Sequence, residues 1–252
     1  MRVAYNEVNV EDDVIRELDK LLKQGGDIDA TFFKDPMLYY GTMLYESIRF
    51  RYGKIVNYLL QNGADISKNF VIGGEEEGSI DFEDKYLFRP FTVFEFAITR
   101  YSQDPEKYRE VYQLIKDKGL QLCSRYGLNL LHLECALGNW SEVEKHLDPS
   151  NINRPIDVES HVWPCMTPLL IAAKFDRQCV VSRLFDLGAS PKCRDTKGNT
   201  PLHFLSTYKN YQCDHRFFIY EDEDTFGSYN GMSHFHIACR LSPRTLNVSN
   251  TS

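Results

Sequence analysis

Nowhere in the 252 residues does an apolar run approach the roughly 18–20 needed to cross a bilayer. The opening stretch MRVAYNEVNVEDD has no apolar core and turns acidic, so no secretory leader is expected. No CxxC pair occurs, and the seven cysteines, at 123, 135, 165, 179, 193, 213 and 239, are odd in number and widely spaced. That pattern predicts reduced thiols and a cytoplasmic or nuclear location rather than a disulfide framework. The chain also lacks the GxGxxG and GxxxxGKS/T phosphate loops, the GxSxG elbow and the HExxH zinc helix. Cations are in the minority, 29 Lys and Arg against 36 Asp and Glu, for a net charge of −7. Such a chain repels phosphate backbones, so nucleic acid is not an expected partner.

What is present is a repeat. An apolar share of 42% and a charged share of 26% are ordinary for a folded chain, and this length buries a core without staples. Six segments align: TMLYES from Thr42, TVFEFA from Thr92, NLLHLE from Asn129, TPLLIAA from Thr167, TPLHFLS from Thr200 and SHFHIAC from Ser233. The last two intervals are 33 residues, and the earlier ones, of 50, 37 and 38, exceed it by insertion. Most segments are followed by a second periodic stretch, such as Lys54–Gln61, Val111–Lys118 and Val180–Leu187. A partial earlier copy is Val14–Gln24. Apolar residues at i, i+3, i+4 and i+7 give each stretch one apolar stripe. Thr before the run supplies a helix cap, Pro168 and Pro201 suit the first turn, and a Gly after the second stretch can end it in the left-handed conformation. Each unit therefore predicts two short helices and an extended connector. One unit cannot bury its own apolar face, and stacking buries it between neighbours.

These residues resemble the ankyrin repeat, whose template is met best at Gly198–Ser206, Met166–Ala173 and Gly41–Ile66, over about residues 10–241. The resemblance implies an all-α solenoid of stacked helix-turn-helix units with hairpin-like connectors. It implies one repeat domain, 1–241, with copies at about 1–30, 38–69, 88–124, 125–156, 163–195, 196–228 and an incomplete 229–241. An insertion loop at about 68–88 and a polar tail at 242–252 complete it. The template histidine stands at His132, His203 and His236, while Tyr45, Glu95 and Leu170 fill its slot elsewhere. Trp140 is placed in the turn between helices, and the outer helix Glu142–Leu147 lacks a Gly ending. The pattern fades after Leu241 with no outer helix, an end expected either of a fragment or isoform of a longer protein or of an atypical cap, with the fragment favoured.

No cofactor or metal is expected. The H-x-H-x-x-C string His234–Cys239 is accounted for by template slots at His236 and Cys239, and Cys213-Asp214-His215 reads as a solvated loop. A Cys135–His132 nucleophile pair lacks an oxyanion donor set, so no catalytic residue is assigned. The resemblance implies a non-enzymatic protein-binding module, an adaptor, scaffold or masking inhibitor, working through its concave face and connector loops. Two other roles fit the same residues: the cytosolic repeat region of a longer membrane channel or receptor, and an effector with which a pathogen or parasite captures a host protein. Contact positions carried over from the template are Arg49, Phe50, Lys174, Phe175, Lys197, Asn199, Thr207 and Tyr208, with His161 and Trp163 from the insertion before Thr167. Trp163 is expected at the surface. The acidic runs Glu75–Glu77 and Glu221–Asp224, with the net charge, favour a partner with a basic surface.

Overall fold

The computed structural model of the chain describes residues 7–34, 39–70 and 91–206. Two compact units, Met1–Leu122 and Cys123–Ser252, make up the chain. Outside the described residues lie Thr207 and Tyr208, both acidic runs, the His234–Cys239 string, Cys213–His215 and the repeats expected beyond 206.

The first unit runs α1 (Glu7–Lys23), β1 (Thr31–Lys34), β2 (Tyr39–Thr42), α2 (Met43–Phe50), α3 (Gly53–Gln61), β3 (Asn69–Phe70), β4 (Phe91–Thr92), α4 (Val93–Gln103) and α5 (Pro105–Cys123). The last residue of α5 opens the second unit. The strands form two short antiparallel connectors, with Thr31 opposite Thr42 and Asn69 opposite Thr92. Helix α2 packs on α3 and α4, and α1 packs on α3. First helices thus lie on first helices and second on second. Leu44, Ile48, Ile55, Val56, Leu59, Phe94, Ile98 and Ile115 fill the space between them.

Local chemistry sets the helix ends. Thr42 Oγ1 accepts from the Tyr45 N–H at 3.2 Å. Thr92 Oγ1 accepts from the Glu95 N–H at 3.1 Å, and Glu95 Oε2 returns the favour by accepting from the Thr92 N–H at 3.2 Å. The slot that holds histidine elsewhere is thus filled by a buried carboxylate that closes a capping box. Helix α3 has no such device of its own, because its N-cap Tyr52 makes no side-chain cap hydrogen bond. Glu11 of α1 supplies it instead, with Oε2 accepting from the N–H groups of Lys54 and Ile55 at 3.0 and 3.3 Å. Asp29 Oδ1 likewise accepts from the Asp65 N–H at 3.0 Å, tying one connector to the next.

The second unit has a 3₁₀ turn at Ser124–Tyr126, then α6 (Leu130–Leu137), α7 (Trp140–His146), α8 (Pro168–Lys174), α9 (Gln178–Asp186) and α10 (Pro201–Leu205). Helices α6, α8 and α10 pack side by side, with α7 against α6 and α9 against α8. Asn129 and Thr167 cap α6 and α8 by accepting from His132 and Leu170 N–H groups. Gly138, at φ 83°, ends α6, and its missing Cβ makes room for Arg177, whose Cδ would stand 2.7 Å away. Arg177 uses that space to donate from Nε to the Ala136 carbonyl at 2.7 Å. Helix α7 ends at an extended Leu147 without a glycine, as its sequence requires. Trp140 is not in the turn. Asn139 takes that place, and Trp140 is the first residue of α7, with Arg183 5.1 Å above its ring.

Gly119 lies within α5, where alanine is the better helix former by about 1 kcal/mol. A Cβ at 119 would run into the ring of buried Phe94. Overpacking of that kind costs about 1–3 kcal/mol, so Gly119→Ala is expected to lower the urea midpoint rather than raise it. Phe94→Leu in the same chain should recover part of the loss, and a stabilised single variant would contradict this packing.

Candidate partner-binding surface

The titratable groups of the inner helices are committed to the fold. His132 is buried, with Nδ1 2.8 Å from Asn129 Oδ1, and its Nε2 has no partner in hydrogen-bond geometry. Burial pulls its pKa down from 6.5 to about 4, the Arg154 backbone offsets part of that shift, and the Arg154 charge adds to it. His203 is also buried, but its Nδ1 plays the opposite part, accepting from the Thr200 N–H at 3.3 Å. Burial pushes the Cys135 thiol far up, with the Glu134 carboxylate adding to it. A thiol kept protonated next to a histidine bonded elsewhere is a poor nucleophile. Cys193 is likewise pushed up to about 11 by burial, although Thr167 Oγ1, 3.2 Å from its sulfur, works in the opposite direction. Among the described residues no group of three His, Cys, Asp or Glu is placed to hold a metal ion.

The surface positions fall on two kinds of edge. One is the turn between a first and a second helix. In the first unit Arg49 lies in the last turn of α2, bonded to Glu46 and lying 5.2 Å over the Phe50 ring. Phe50 is 49% exposed and stacks on Tyr52, with centroids 5.9 Å apart. Arg51, at φ 64°, turns the chain and stands 5.7 Å over Tyr108, whose hydroxyl donates to the Arg49 carbonyl at 3.2 Å. The result is a fixed alternation of cation and aromatic. Sequence reasoning stopped at Phe50; the signal it passed over was the continuation Arg51-Tyr52. In the second unit the equivalent turn holds Lys174, half-buried, and Phe175, buried.

The other edge is formed by the connectors. His161 and Lys197 are exposed there. Trp163 is not: it is 4% exposed and packs edge-on against Phe175, with centroids 5.6 Å apart. Its insertion folds back. Ser160 Oγ donates to the Val162 carbonyl at 2.7 Å, Cys165 N–H donates to Ile156, and Trp163 and Cys165 take φ of 53° and 60°. The exposed apolar residue of this loop is Val158, at 68%. Asn199 is also buried, its amide donating to Asp195 Oδ2 at 2.8 Å. Lys197 and Lys174 lie toward opposite ends of the first helices, because the connector feeds the N-terminus and the turn follows the C-terminus.

No protein-family model matches the chain. The mouse protein NF-kappa-B inhibitor delta is 34% identical over 82 residues, 32% of this chain and 24% of that protein, so the chain spans about a quarter of that relative's length. Among solved structures, the human ASB11 ankyrin repeat domain overlays with a TM-score of 0.38 at 19% identity, covering 90% of this chain and 88% of that one. An ankyrin repeat domain from Acinetobacter baumannii AYE overlays with a TM-score of 0.34 at 22% identity, covering 78% and 87%. The deciding observation is the unit itself. A Thr- or Asn-capped first helix, a tight turn, a second helix and a connector recur in both units, with the TPLH run on α10. This is the fold of the ankyrin repeat.

Ankyrin repeats are protein–protein interaction modules, and no helix among the described residues is long and apolar enough to cross a membrane. The ankyrin core makes two expectations concrete. The unfolded chain takes up a proton at His132 near pH 6.5 and the folded chain only near pH 4. Stability is therefore full above about pH 6.5 and falls by up to about 3 kcal/mol across that window. His132→Gln should flatten this part of a urea-midpoint-against-pH curve, and an unchanged slope would rule out His132 as its source. Alkylation followed by mass spectrometry should modify exposed Cys179 in the native chain and buried Cys135 only on unfolding.

Proposed function

We propose that the chain acts without catalysis, by gripping another protein through its helix-turn edges and connector tips. The observation that carries this reading is the Phe50–Tyr52 pair. Two aromatic rings stand at 49% and 38% exposure, fixed by Arg49 and by the left-handed turn at Arg51. Rigid exposed aromatics flanked by arginine are strong anchors, since little side-chain freedom remains to be lost on contact. His161, Lys174 and Lys197 are the further contact positions at the surface. The burial of His132 and Cys135 and the half-burial of Cys193 support a structural role for those groups.

The role takes the form of an adaptor, a scaffold or an inhibitor that masks its partner. The name of the mouse relative supports the last, over a shared stretch of 82 residues. The net charge of −7 and the acidic runs at 75–77 and 221–224 support a partner with a basic patch. Free thiols support a reducing compartment, the cytoplasm or the nucleus.

The test is affinity purification with crosslinking to name a direct partner, followed by titration with that partner purified. Phe50→Ser with Tyr52→Ser should weaken binding by about tenfold or more while leaving the circular dichroism unchanged. A partner bound equally by this variant, or the absence of any stoichiometric protein partner, would overturn the reading.

A further inference from the structure

The connector at residues 190–199 carries more cations than its counterparts. After α1 the connector carries Asp27 and Asp29, after α3 Asp65 and Lys68, after α5 Arg125, and after α7 Asp148, Asp157 and Glu159 with Arg154. After α9 the chain reads Ser190-Pro-Lys-Cys-Arg-Asp-Thr-Lys-Gly-Asn199, with Lys192, Arg194 and Lys197 all exposed. Asp195 is the one acidic residue between 187 and 206. Its carboxylate is already used: Oδ1 accepts from the Lys197 and Asn199 N–H groups, and Oδ2 from the Asn199 amide, each at 2.8 Å.

The tip is also rigid. Asp195 N–H donates to the Asn199 carbonyl at 3.1 Å, and Gly198 N–H to the Asp195 carbonyl at 3.0 Å. Arg194 Nη1 donates to the Gly198 carbonyl at 3.0 Å, which lays the guanidinium along the hairpin. At the base, Asn153 accepts from the Ser190 N–H at 2.7 Å and donates to the Gly188 carbonyl at 3.2 Å. The Arg194 guanidinium is therefore held along the hairpin, and the exposed Lys197 side chain projects from a fixed backbone, so a carboxylate meets the pair at a reduced ordering cost.

We infer that the connector tip at 192–197 is a docking point for a carboxylate-rich segment of the partner protein. This rests on reading the chain as a protein-binding module and adds the chemistry of one contact. An acidic peptide fits better than a nucleic acid, because a chain with net charge −7 repels a long phosphate backbone while a short segment meets only the local field.

The probe is fluorescein-labelled deca-glutamate, titrated by anisotropy into the full chain. Saturable binding is expected at about 50 mM salt, weakening several-fold by about 200 mM. Arg194→Glu with Lys197→Glu should weaken it about tenfold, the effect of two exposed ion pairs lost and reversed. Lys197→Arg should retain it, and circular dichroism should be unchanged in both variants. No binding, or binding indifferent to the charge reversal, would overturn the inference while leaving a purified partner free to bind at Phe50 and Tyr52. Two other results would also overturn it. One is preference for a single-stranded DNA oligomer over deca-glutamate. The other is a large gain in probe affinity on neutralising Glu221–Asp224, which would make the chain's own acidic run the occupant.

Discussion

Everything in this molecule depends on apolar faces that are closed only by an adjacent repeat. A helix of eight or nine residues is marginal by itself in water. Helices α2, α3, α6 and α9 are that short, and each buries its stripe against neighbouring helices. The polar contacts follow the same logic. Glu11 finishes the N-terminus of α3 from 43 residues away, Arg177 finishes the C-terminus of α6 from 41 away, and Asn153 and Asp29 hold the next connector in line. Hydrogen-bonding groups that a longer helix would satisfy internally are satisfied here by the neighbour.

The slot that names the repeat shows how loosely one position can be specified when its task is clear. The task is to reward the backbone at the start of the first helix. His203 does so with a ring nitrogen and Glu95 with a carboxylate oxygen. Tyr45 and Leu170 occupy the slot as buried bulk, with Thr42 and Thr167 alone supplying the cap. Four residue types thus stand in one geometry. His132 shows the cost of the template residue itself, since its second nitrogen is buried without a partner.

The architecture was legible because it is periodic. Stripe spacing, threonine caps and terminal glycines are local signals, and the helices follow them closely. The surface was less legible because exposure is decided by tertiary contacts. Trp163 looked like a loop tryptophan, but Ser160 and two left-handed residues turn the insertion back onto Phe175. Asn199 looked like a connector tip, but Asp195 folds it inward. Arg51 and Tyr52 went unnoticed because their arrangement depends on Tyr108, more than fifty residues away. Phe50, His161 and Lys197 stand exposed at turns and connectors.

The pairing of Gly138 with Arg177 joins two successive repeats through a single notch. A side chain at 138 evicts the guanidinium, and a shorter residue at 177 strands the carbonyl of Ala136. The two positions are therefore free to vary only as a couple. Any natural or engineered shuffling of these modules has to transplant both, or place its seam elsewhere along the array.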